Sequence, residues 1–153
     1  MKRIAILSDS HGLIREEVKE QLQNADVILH AGDINTEAIV DELKKYGPLY
    51  IVRGNNDKEW AINLPITETV TIEGVRFFLV HNKKEIPTDV SKYDVIIYGH
   101  SHKYEEKQID GIWYLNPGSC GKRRFNQEIT MCEMEIQDGS FQVRKICIPH
   151  TKE

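Results

Sequence analysis

The sequence has 153 residues, a formal charge of −4 and 29% charged side chains, which suits one domain, residues 1–153, with its own hydrophobic core. The acidic balance argues against stable binding to nucleic acid, which depends on many Lys and Arg contacts to phosphate. No apolar run reaches the ~20 residues that span a bilayer, Met1-Lys2-Arg3 leads into no signal-peptide pattern, and three cysteines without a CxxC suit reduced thiols in a cytoplasmic protein.

In chain order, the first half alternates strand and helix. Residues 3–7 form an apolar run that stops at Ser8-Asp9-Ser10-His11-Gly12. Ile14, Val18 and Leu22 then recur at helical spacing. Residues 27–31 are a second run, ended by Gly32-Asp33. A helix starting from Thr36 carries Ile39, Val40 and Leu43 and stops at Gly47-Pro48. Residues 49–52 are a third run, ended by Arg53-Gly54-Asn55-Asn56-Asp57. Strands apolar on both faces and joined by helices imply a buried parallel sheet.

The second half is mostly strands. Glu73-Gly74, Asp110-Gly111 and Asp138-Gly139 each sit between strand-like segments and mark hairpins. Residues 94–98 form another buried run, ended by Gly99-His100. Cys132 and Cys147 fall in strand segments and are expected to act as small core hydrophobes.

Five apolar runs end in Asp, Asn or His, usually beside Gly. Asp9 and His11 follow the first, Asp33 the second and Asn55 the third; His81 ends a hairpin strand, and His100 and His102 follow the last. Ligands of open α/β sheets bind outside the carboxyl ends of the strands, so these residues are expected to converge. Imidazoles, carboxylates and an amide carbonyl suit Mn, Fe, Zn, Ni or Co. Seven ligands are too many for one ion and natural for two, with Asp33 as the bridge. Two such ions leave the site positive, attract a phosphate ester and ionise a trapped water near neutral pH.

The ordered segments Asp9-Ser10-His11, Gly32-Asp33, Gly54-Asn55, His81, Gly99-His100-Ser101-His102 and Asn116-Pro117-Gly118-Ser119 resemble the calcineurin-like metallophosphoesterases, most of all the small prokaryotic phosphodiesterase branch. The resemblance covers about residues 1–124. It implies an α/β fold of two facing β-sheets flanked by helices, a four-layer sandwich. It implies one metal held by Asp9, His11, Asp33 and His102, and another by Asp33, Asn55, His81 and His100, with Mn2+ as the favoured ion. The activity it implies is hydrolysis of phosphodiesters by a metal-bridging hydroxide, with a phosphate ester as the partner; a homo-oligomer stays open.

The departures from that family are specific. Asn56 stands where the family usually has His, or Cys in some small members; that His is read as protonating the leaving group or contacting the phosphate. An Asn amide donates a hydrogen bond but delivers no proton at neutral pH, so Asn56 is the catalytic position whose role is altered. Asn82 replaces a usual Gly, and only residues 82–93, interrupted by Pro87, separate His81 from the next strand, where relatives often place a longer helix.

Other polar residues receive plainer readings. His30 is expected to be buried and hydrogen-bonded near the site rather than a ligand. Asp57 is expected to pair with Arg53 or Lys58, residues 116–119 to shape the site wall, and Trp60 and Trp113 to pack. Lys122-Arg123-Arg124 reads as a solvated charge run and His150 as an exposed tail residue. The resemblance admits two classes of function. One is the phosphodiesterase; the other is a metal-containing protein-binding scaffold with little activity, like the retromer subunit of the same superfamily. Retention of all seven ligand types favours the enzyme.

Overall fold

The computed structural model describes residues 1–121 and 128–148. Lys122-Arg123-Arg124 and His150 lie outside the described residues. Two mixed sheets of five strands face each other. The first contains β1 (Lys2–Leu7), β2 (Val27–His30), β3 (Leu49–Ile51), β9 (Thr130–Gln137) and β10 (Ser140–Cys147), in the order β10-β9-β1-β2-β3. The second contains β4 (Thr67–Ile72), β5 (Val75–Val80), β6 (Val95–Ile97), β7 (Glu105–Ile109) and β8 (Ile112–Asn116), in the order β4-β5-β6-β8-β7. The βαβ half of the chain supplies the parallel pairs β1-β2 and β2-β3. Each Asp-Gly or Glu-Gly pair turns a hairpin, with Glu73, Asp110 and Asp138 at positive φ before their glycines.

Period-two alternation divides the apolar residues between layers. Ile4, Ile6 and Leu29 meet Phe77, Leu79 and Ile97 between the sheets. Their neighbours Ala5, Leu7 and Ile28 face the opposite way, against α1 (Glu16–Leu22) and α2 (Glu37–Lys44). Thr36 is the residue before α2, as expected, though its side chain makes no cap hydrogen bond. The outer face of the second sheet carries Phe78, Val80, Ile96 and Tyr98. Tyr93, Ile86 and Val90 cover it from segment 82–94, whose regular structure is a single 3₁₀ turn, Lys83–Glu85. The short, Pro-interrupted segment thus lays coil where a helix would otherwise flank the sheet.

Cys132 is buried between the sheets, but Cys147 is exposed, contrary to the sequence expectation. The pairing of β10 with β9 is unbroken, so Phe141 and Val143 face the other sheet and Ile146 faces the helix-side core, while Cys147, on the face of Phe141 and Val143, is exposed. Trp60 packs half-buried on the helix-side core, and Trp113 meets Phe141 edge-on between the sheets. Among the described residues no helix is long and apolar enough to cross a membrane.

Candidate metal centre

The loops after β1, β2, β3, β5 and β6 open at one edge of the two sheets and bring the predicted residues together. Backbone pairing continues beyond the strands: the Asp9 N–H donates to Gly32 O at 3.0 Å, His11 N–H to Asp33 O at 3.0 Å, and Gly12 N–H to Ile34 O at 2.8 Å. These loops are conformationally demanding. Asp9, His11, Asp33, His100 and His102 all have positive φ, between 47° and 75°. Side chains rarely adopt that region, and such strain concentrates where surrounding structure enforces a functional geometry. Two glycines give the loops room to touch. A Cβ on Gly54 would collide with the Asp33 backbone and carboxylate, and one on Gly99 with the Ser8 hydroxyl and Asp9 carboxylate.

Each central carboxylate is held on one side and presented on the other. Asp9 Oδ2 accepts from the Ser8 hydroxyl at 2.8 Å and from the His100 N–H at 3.1 Å. Asp9 Oδ1 has no hydrogen-bond partner and lies 3.5 Å from His102 Nε2, 3.7 Å from His11 Nε2 and 4.0 Å from His81 Nε2. Asp33 Oδ1 accepts from the Asn56 N–H at 2.8 Å, and Oδ2 from Asn56 Nδ2 at 3.1 Å. Burial opposes the charge on Asp33, but His81 and the Asn56 donors outweigh it and hold its carboxyl well below the usual range.

His81 Nδ1 donates to the Ala31 carbonyl at 2.8 Å, which turns Nε2 toward Asp33 Oδ2 at 3.2 Å. Burial works against its protonation, yet the Asp33 and Asp9 carboxylates raise its pKa above the ordinary imidazole value. The rings of His11 and His102 stack with centroids 5.0 Å apart, and His100 Nδ1 lies 3.2 Å from Asn55 Oδ1. Two donor clusters result, Asp9-His11-Asp33-His102 and Asp33-His81-His100, each with its ligand atoms within 4.8 Å of one another. Asp33 belongs to both, and Asn55 adjoins the second. The donor set fits divalent metal, because Asp9 Oδ1 and His81 Nε2 are buried polar atoms with no hydrogen-bond partner.

Residues around the clusters complete the frame. His30 is fully buried; its Nδ1 accepts from the Gly32 N–H at 3.0 Å, which places its proton on Nε2, 3.0 Å from Ser10 Oγ. Burial pushes its pKa down to about 4, so it is a neutral strut. Asn116 Nδ2 donates to Gly99 O and Ser101 Oγ, and Ser119 Oγ donates to Asp9 O. These bonds make residues 116–119 the wall behind the His100 loop.

Asp57 corrects its sequence reading. Its buried carboxylate pairs with neither Arg53 nor Lys58; it accepts the N–H groups of Asp33, Ile34, Asn35 and Gly54 at 2.8–3.0 Å. Arg53 Nε donates instead to the Asp57 carbonyl at 3.2 Å. Asp57 is therefore the clip between the loops after β2 and β3. The sequence signal for it was a carboxylate two residues beyond Asn55, inside the turn that presents that ligand candidate.

A strand-edge cluster of Asp, Asn and His on two facing mixed sheets is the architecture of a metallophosphoesterase. The model of the calcineurin-like phosphoesterase superfamily domain matches residues 1–139, and the chain belongs to that family. It is similar to a probable metallophosphoesterase of Methanothermobacter thermautotrophicus, 31% identical over 130 residues that cover 76% of each chain. A phosphodiesterase of Methanocaldococcus jannaschii is 26% identical over 140 residues, 77% of this chain and 84% of that one. Among solved structures, a single mutant of Vps29 from Entamoeba histolytica has a TM-score of 0.78 at 22% identity, covering 96% of this chain and 99% of that one, a likeness of fold.

Proposed function

We propose that this protein hydrolyses phosphodiesters at a centre of two divalent metal ions, with manganese the favoured metal and a cytoplasmic setting. The observation that carries the reading is the pair of donor clusters sharing Asp33. Asp9, His11, Asp33 and His102 would hold one ion, and Asp33, Asn55, His81 and His100 the other. Bound there, two such ions would supply Lewis acidity toward the phosphoryl oxygens and a water ionised near neutral pH.

The chain's own residues set the geometry. Ser8 and the His100 amide orient Asp9, Asn56 and the Asp57 clip orient Asp33, and Ala31 fixes the His81 tautomer. Two carboxylates leave a two-ion centre positive, which favours an anionic ester. Asn56 donates its backbone N–H and one side-chain N–H to Asp33, so it acts by positioning, and protonation of the leaving group is the step this chain serves least.

The test is hydrolysis of bis-nitrophenyl phosphate and of nucleoside diesters by purified protein, with Mn2+ and after chelation. Mn-dependent turnover that chelation abolishes is expected. Asn56, bonded to Asp33 where the family has an acid, favours a second reading: a metal-containing binding scaffold of the same fold. Full metal loading with no turnover on any ester would select that reading.

A further inference from the structure

A cavity of about 260 Å³ lies against the second donor cluster, lined in part by Asn55 and His81 and in part by Arg53, Ile66, Asn82 and Glu85. We propose that Arg53 is the residue that holds an anionic phosphate oxygen of the substrate in this cavity; the inference rests on the phosphodiesterase reading and names a binding residue for it.

Three observations carry it. Arg53 is half-buried and anchored at both ends of its reach: its N–H donates to Pro65 O at 2.8 Å and its Nε to Asp57 O at 3.2 Å. Its two terminal nitrogens make no hydrogen bond or ion pair among the described residues, so the fork is oriented and its outer donors are uncommitted. The nearest buried acid does not neutralise it, because the Asp57 carboxylate is consumed by four backbone amides. Asn82 adds a second donor to the wall. Its Oδ1 accepts from the Lys84 N–H at 3.0 Å and caps the 3₁₀ turn, which leaves its NH₂ group for a ligand. Meanwhile Asn56, at the position that could touch the phosphate in relatives, is bonded to Asp33. A guanidinium with a fixed Nε matches phosphate geometry with little ordering left to do.

The anionic oxygen has two sources, the reacting phosphate or a second phosphate further along the substrate. The experiment titrates inorganic phosphate into the Mn-loaded full chain by calorimetry, for the wild type, Arg53→Gln and Glu85→Gln. Arg53→Gln is expected to weaken phosphate binding about tenfold, the lower end for a hydrogen bond to a charged group. Glu85→Gln, which removes a negative charge from the same wall, is expected to strengthen it. Kinetics on thymidine 5′-nitrophenyl phosphate, with and without a 3′-phosphate, then separate the sources. A rise in KM that is equal for both esters places Arg53 on the reacting phosphate, and a larger rise for the 3′-phosphorylated ester places it on the second. Unchanged phosphate affinity in a folded Arg53→Gln overturns the proposal. Should that variant not fold, failure of Glu85→Gln to tighten phosphate overturns it instead. Absence of turnover in the wild type would count against the phosphodiesterase reading, while the calorimetry still decides Arg53.

Discussion

The two halves of the candidate centre differ in enclosure. Asp9, His11 and Asp33 are buried and His102 half-buried, whereas the second cluster ends in exposed His100 beside exposed Asn55. The first half grows from loops that hydrogen-bond each other residue by residue after β1 and β2. The second half joins the loop after β3 to the Gly99–Ser101 turn through side chains, chiefly His100 with Asn55. Enclosure fixes ligand geometry in advance and openness admits substrate, so on the proposed reading the first half would hold an ion firmly and the second would meet the ester. The cavity beside Asn55 and His81 lies on that open side.

Asp33 is where the comparison breaks most completely, since it is common to both clusters. Asp33→Ala should lose both ions and all measurable turnover while the apo protein keeps its circular dichroism spectrum, because Asp57 clips the loop through backbone amides. Metal analysis and steady-state assays check it; retained turnover in the folded variant would refute the shared-ligand arrangement. Single histidine variants sharpen the asymmetry. His11→Ala should impair the tight ion, while His100→Ala should leave one ion per chain after dialysis and shift the manganese requirement upward by at least about tenfold, as loss of support around a metal does. Identical losses in the two variants would erase the distinction between the halves.

A third expectation concerns the enclosed side alone. His30 is neutral in the fold, with its pKa pushed down to about 4 by burial, but takes a proton near pH 6.5 when unfolded. The unfolded state therefore binds more protons between those values, and stability falls as the pH drops through this window. By pH 5 the loss is about 2 kcal/mol relative to pH 7.5. Chelated wild type and His30→Gln, compared by urea denaturation at both pH values, should differ in this slope; equal slopes would contradict the neutral strut.

The smallest effect is expected at Asn56. A histidine there restores an acid but removes the side-chain bond to Asp33 Oδ2, so the gain should stay well below the ~10² that general acids usually supply. Asn56→His should raise kcat/KM several-fold more for diesters with alkoxide leaving groups than for nitrophenyl esters. Equal effects on every ester would show that position 56 does not act through the leaving group.

The convergence of these residues was legible because each one ends an apolar run beside a turn residue, and strand ends on one sheet edge must converge whatever the loops do. Asp57 was misread because three of its four partners are backbone amides 22–24 residues away in sequence, and amides carry no side-chain signal. The charged neighbours Arg53 and Lys58 suggested an ion pair that the turn does not allow. The direction of Asn56 was equally hidden. Its residue type said what it could donate, and only the fold puts Asp33 within its reach. Cys147 shows the limit of strand periodicity on an edge strand: alternation tells which face a residue takes, and not whether that face is still covered at the strand end.

The central claim is that one carboxylate, Asp33, joins two metal sites. Anomalous diffraction from crystals of the Mn-loaded protein tests it directly. Two peaks ~3.5–4 Å apart, with the Asp33 carboxylate between them, are expected. A single peak, or an Asp33 carboxylate turned away from the pair, would contradict the account.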